Sequence, residues 1–172
     1  MKIRLTALSI GVMTLLAACG GSSMTLEEYF TKIEGIQQTA NDESSKALED
    51  ISSVTEPPAT PEEARDLYLP ILESFTEIAQ DAADSASAID PPGDVADAHE
   101  AYVSAVEAQA EFFAGVRDEL RAEGSDAEAV MQEASADGEG LSTATTAACD
   151  ALQKAADGEG IEVDLQCEEV DG

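Results

Sequence analysis

Apolar residues return at steps of three and four over most of this chain, the period of one helical face, in four stretches separated by proline, glycine and acidic residues. The first stretch opens at Thr25-Leu26-Glu27-Glu28, a capping box in which the Thr25 hydroxyl accepts from the Glu28 amide while the Glu28 carboxylate reaches back. Leu26, Tyr29, Ile33, Ile36, Ala40, Ala47 and Ile51 mark its inward stripe, and Phe30 and Leu48 widen it, predicting a helix to about residue 53. Glu56-Pro57-Pro58 ends it.

A second helix is predicted from Thr60-Pro61-Glu62-Glu63, with proline at the first helical position and Glu63 closing another box. Ala64, Leu67, Ile71, Phe75, Ile78, Ala82 and Ile89 carry its stripe. Pro70 removes one amide and predicts a kink, and the helix stops near Asp90, ahead of Pro91-Pro92. The third runs from about Gly93 to Arg121 with Val95, Tyr102, Val106, Phe113, Val116 and Leu120 inward. Ser125-Asp126-Ala127-Glu128 caps the fourth, which carries Val130, Met131 and Ala134 before an expected interruption at Asp137-Gly138-Glu139-Gly140. The pattern resumes with Leu141, Thr145, Ala148, Leu152 and Ala155, and ends at Asp157-Gly158-Glu159-Gly160.

The string Ala-Asp-Gly-Glu-Gly thus occurs twice, at 136–140 and 156–160, and reads as a matched pair of helix stops. It does not make a calcium loop, which needs oxygen ligands at positions one, three, five and twelve around a glycine at six. Placing Gly160 at six puts Ala155 at one and Gln166 at twelve, and placing Gly140 there puts Ser135 and Thr146. Beyond Gly160, Ile161-Glu162-Val163-Asp164-Leu165 alternates apolar and polar like a short extended segment and leads to Cys167. Four helices with short connections predict an all-α fold, an antiparallel four-helix bundle with this tail across one end.

The amino terminus differs in kind. Met1-Lys2-Ile3-Arg4 is a short basic start, and Leu5 to Ala18 is an apolar run of 14 residues ending in Ala17-Ala18-Cys19. A membrane span needs roughly 20 apolar residues, so this run reads as a secretory signal with a small-residue cleavage site. Leu16-Ala17-Ala18-Cys19 resembles the lipobox of bacterial lipoproteins. That resemblance implies a thioether-linked diacylglycerol on Cys19, cleavage before it and firm anchoring, since each buried methylene contributes about 0.8 kcal/mol. The expected organisation is a signal peptide at 1–18, a lipidated cysteine with the flexible tether Gly20-Gly21-Ser22-Ser23 within 19–24, and an acidic helical domain at 25–172. The address is the cell envelope, on the extracytoplasmic side of a membrane. Gly20, where an aspartate would resemble an inner-membrane retention signal, allows the outer membrane of a two-membrane host.

Export makes Cys149 and Cys167 an even pair in a compartment that permits oxidation, and a disulfide is expected. The alternatives are a metal site, for which further cysteine and nearby histidine are lacking, and a reactive thiol, for which a basic neighbour is lacking. Cys149, Leu152, Ala156, Gly160-Ile161, Val163-Asp164-Leu165 and Cys167, with Pro91-Pro92 ahead of His99 and Tyr102, are similar to a group of small helical bacterial lipoproteins. The resemblance covers most of the mature chain and implies architecture, not mechanism.

Charge narrows the partners. The chain has 37 Asp plus Glu against 8 Lys plus Arg, a net charge of −29, and cleavage before Cys19 removes only Lys2 and Arg4 to leave −31 on 154 residues. Phosphate backbones are repelled and no basic patch inverts the local sign, so nucleic acid is excluded as a partner. The charge reads as a solubilising surface, or alternatively as faces that recruit cations or basic peptides.

Candidate chemistry is sparse. His99 is the single histidine, and its helical neighbours Val95, Ala96, Tyr102 and Val103 neither ligate a metal nor orient a ring. It reads as a histidine at a bundle boundary, hydrogen bonded to a carboxylate or to water. Glu62-Glu63, Asp90, Asp94, Asp97 and Glu100 sit around helix starts, where the dipole favours them. No phosphate loop or Glu-x-x-His carboxylate-metal motif is present, and with no Trp, sugar stacking is disfavoured. The expectation is a non-enzymatic, lipid-anchored protein with an interaction or envelope-structural role, held to the membrane through Cys19 and meeting an envelope protein partner. No metal, cofactor or catalytic residue is assigned.

Overall fold

The computed structural model describes residues 24–52 and 58–167, without the side chains of 50–52. The lipobox, Cys19, most of the tether and the Glu56-Pro57 stop therefore lie outside the described residues.

Each helix begins as its local chemistry dictates. The Thr25 amide donates to Glu28 Oε2 at 3.0 Å and the Glu28 amide to Thr25 Oγ1 at 3.2 Å, closing the box that starts α1, Leu26–Ser52. Thr60 accepts from the Glu63 amide at 3.1 Å at the start of α2, Pro61–Ser87, which runs unbroken through Pro70. Gly93–Val95 forms a separate 3-10 turn, so α3 spans Ala96–Arg121 and starts three residues later than the pattern suggests. At α4, Ala127–Glu159, the cap is Asp126, which accepts from the amides of Glu128 and Ala129. Ser125 is drawn away instead: its hydroxyl donates to the Leu120 carbonyl and accepts from Arg65 Nη2, tying α2 to the α3–α4 turn.

The expected interruption of the fourth helix does not occur. α4 is continuous for 33 residues through Asp137-Gly138-Glu139-Gly140. A glycine costs about 1 kcal/mol in a helix interior, which packing on both sides outweighs, and Gly138 lies against the Phe112 ring of α3. The second copy of the string does stop the helix. Gly160 takes the left-handed conformation at φ 71°, and the Ile161 amide donates back to the Ala156 carbonyl at 3.0 Å.

Two apolar clusters hold the helical bundle together. One gathers Tyr29, Phe30 and Ile33 from the start of α1, Ala83 and Ala86 from the end of α2, Tyr102 and Val106 from α3, and Leu152 and Ala156 from α4, with Leu165 of the tail. The other joins Ala64 and Leu72 of α2, Val116 and Leu120 of α3, and Ala127 of α4. Among the described side chains, none of α1 belongs to it. The second half of α1 is correspondingly poorly covered: Ile36, Ala40 and Ala47 are half-buried and Leu48 is 39% exposed.

The stripe on α2 is rotated relative to the expected one. Ala64 and Ile71 are buried as expected, but Leu72, Thr76, Ala79, Ala83 and Ala86 complete the face, while Leu67, Phe75, Ile78 and Ala82 are only half-buried. Alanine lets α2 approach α3 closely along that line, and the bulkier residues fall to the side. Val95 in the 3-10 turn and Tyr102, Val106, Val116 and Leu120 on α3 are buried as expected, and Phe113 is half-buried. Residues 161–167 form no strand; the Gln153 side chain donates to the Val163 carbonyl and accepts from the Leu165 amide, both at 3.0 Å, and seats Leu165 in the core.

Candidate functional site: a neutral cleft among the helices

Cys149 and Cys167 form a disulfide with Cα atoms 5.4 Å apart, joining α4 to the tail. Tail and α1 are joined as well. Asn41 Nδ2 donates to Gln166 Oε1 at 2.8 Å, the Asp164 amide donates to Glu34 Oε1 at 3.2 Å, and Gln37 Nε2 reaches Cys149 Sγ at 3.5 Å.

His99 is 6% exposed, and its Nδ1 lies 3.0 Å from the Tyr29 hydroxyl with the two rings edge to face. The partner of Nδ1 is thus a phenol where a carboxylate or water was expected. Burial lowers the His99 pKa from 6.5 and raises that of Tyr29, so the pair is neutral, and the His99 tautomer sets which of the hydroxyl and the ring nitrogen donates. The carboxylates at the helix starts remain there: Glu62, Asp90, Asp94, Asp97 and Glu100 are all exposed. Among the described residues no group of three or more His, Cys, Asp or Glu is placed to hold a metal, and no helix is long and apolar enough to cross a membrane.

The feature that sequence reasoning missed lies where α1 drops out of the core. A cleft of about 580 Å³ opens there, lined by all four helices and closed at one end by Gln166 and Cys167 of the tail. Its floor is apolar, with Phe75 and Ile78 from α2 and Val106 and Phe113 from α3. The Phe75 and Phe113 rings stack with centroids 5.4 Å apart at 28°. Its sides are polar, with Gln37, Asn41 and Ser44 on α1 and Ser142, Thr145 and Thr146 on α4. Tyr102 lines it too, its phenol pushed up to about 12 by burial and therefore protonated. In a chain in which 26% of residues are charged, none of the described residues that line the cleft carries a charge.

The signal for this site is present in the sequence as a phase. Phe30, Ile33, Gln37, Asn41, Ser44 and Leu48 succeed one another at three and four, so the buried stripe of α1 turns polar at residue 37 without leaving its face. Ile36, which carries the expected stripe onward, borders instead a groove between α1 and α2 with Lys32, Glu43, Asp81 and Asp84, and Ala40 lies on both the groove and the cleft.

The chain matches no protein-family model, no curated protein and no solved structure.

Proposed function

We propose that this protein is a lipid-anchored, extracytoplasmic binding protein that acts by interaction and not by catalysis. The observation that carries the binding role is the cleft: a fold able to bury Phe75, Ile78 and Phe113 leaves them half-exposed opposite a polar row on α1. Concave sites that combine an apolar floor with a few convergent polar groups are how small ligands are held. The non-catalytic part is supported by His99, whose Nδ1 is engaged by Tyr29 within the apolar core. The anchor is supported by Leu16-Ala17-Ala18-Cys19, with the short tether holding the domain close to the membrane surface.

Two measurements test this reading. Replacing Cys19 with Ser should move the protein from the membrane to the soluble fraction of its host, and firm membrane association of that variant would remove the anchor. Native and denaturing mass spectra of the detergent-purified protein should differ by the mass of a bound ligand, in addition to the acyl chains that persist in both.

A further inference from the structure

We propose that the cleft takes an uncharged amphiphile, a small molecule with one flat apolar face and hydrogen-bonding groups such as carbonyls or hydroxyls along its edges. The inference rests on the binding reading above and names its ligand class. The stacked pair Phe75 and Phe113, flanked by Ile78 and Val106, offers a surface on which an aromatic or alicyclic face is buried. Amide and hydroxyl groups on both sides, Gln37, Asn41 and Ser44 against Ser142, Thr145 and Thr146, supply donors and acceptors at the edge of that face.

Neutrality of the lining selects against ions of either sign. An anion enters against a chain of net charge −29 and meets no cation among the described residues of the cleft. A cation is drawn to the acidic surface, yet it gives up its hydration inside with no carboxylate among the described lining residues to replace it, which costs several kcal/mol. A bare acyl chain, including one carried by Cys19, leaves the two polar rows facing methylenes with their hydrogen bonds unmade. The volume, about 580 Å³, falls inside the range of roughly 300–1,000 Å³ typical of small-molecule sites.

The test uses the mature full-length Cys19→Ser protein with its disulfide intact and three fluorescent probes at one ionic strength: Nile red (uncharged), 1-anilinonaphthalene-8-sulfonate (anionic) and thioflavin T (cationic). One saturable Nile red site with blue-shifted emission is expected, with both ionic probes bound about ten-fold more weakly or worse. Ser44→Glu and Thr145→Glu, one carboxylate on either side of the cleft, should each weaken Nile red by about ten-fold while keeping the helical circular dichroism. Thr143→Glu, which adds the same charge to the exposed side of α4, should leave it unchanged. Equal binding of the charged probes, an equal loss from Thr143→Glu, or no saturable Nile red site overturns the ligand class. So does Nile red binding by the Cys19→Ser protein that is absent from the lipidated one, because the acyl chain then fills the cleft. If the native spectrum carries extra mass that Nile red does not displace, the binding role survives and the ligand class falls. If neither extra mass nor a probe site is found, the binding role falls with it.

Discussion

At the scale of single residues, the Tyr29–His99 pair shows how burial fixes chemistry. The two groups come from helices 70 positions apart in sequence and meet at 3.0 Å inside the larger apolar cluster. Tyr29→Phe removes the hydroxyl and leaves the buried Nδ1 of His99 without that partner, which should cost about 1–3 kcal/mol in urea unfolding. Because the folded state disfavours the imidazolium, the unfolded chain takes up its proton first as pH falls. The contribution of His99 is whole above its ordinary pKa of 6.5 and is lost as pH drops from there through the lowered folded value. His99→Phe has no such proton to gain. The stability of the native protein relative to this variant should therefore shrink between about pH 7.5 and about pH 5, and a constant difference would show that His99 titrates alike in both states. Sequence reasoning places His99 at a bundle boundary with no catalytic partner, whereas the structure buries it, and the phenol opposite belongs to another helix and has no local signature.

At the scale of elements, the two copies of Ala-Asp-Gly-Glu-Gly separate local propensity from context. Gly138 is helical and a Cβ there would meet Phe112 Cζ at 3.6 Å, an ordinary contact, so Gly138→Ala should stabilise the fold by up to about 1 kcal/mol. Gly160, at φ 71°, forces any side chain into the left-handed region, and Gly160→Ala should destabilise by about 1 kcal/mol. Thermal unfolding of the two variants should give shifts of opposite sign. The downstream residues distinguish the copies: helix-compatible Leu141 to Ala148 after the first, and after the second a tail whose Leu165 is buried and whose Cys167 is bonded back to α4. The caps at Thr25 and Thr60 were legible because each hydroxyl accepts from an amide three residues on, although the Glu63 carboxylate reaches back to the Ala59 amide and not, as the capping box predicts, to that of Thr60. The rotation of the α2 stripe was not, since Ala79, Ala83 and Ala86 are too small to mark a face by hydrophobicity alone.

At the scale of the molecule, the tail is the clasp. Leu165 completes the apolar cluster at one end, the disulfide pins the tail to α4, and Asn41 and Glu34 join it to α1 across the end of the cleft. Replacing both Cys149 and Cys167 by Ser removes a cross-link spanning 18 residues, worth on the order of 3 kcal/mol in the chain-entropy account. The melting temperature should fall by roughly ten degrees for a domain of this size. Nile red affinity should fall with it, because Gln166 and Cys167 wall one end of the cleft.

Sequence alone determined what depends on near neighbours and on composition: four helices and most of their boundaries, the caps at Thr25 and Thr60, the pairing of the two distal cysteines and the acidity of the chain. These arise from hydrogen bonds and periodicities that span a few residues, and from a cysteine count that admits one pairing within the folded domain. Tertiary structure decided the rest. It carried α4 through two glycines, gave His99 a phenol for a partner, turned α2 onto its alanines, and left the second half of α1 outside the smaller core. Each is settled by which helix lies opposite, a competition among surfaces distant in sequence. The polar phase from Gln37 to Ser44 becomes one side of a cleft only because Phe75 and Phe113 stand across from it.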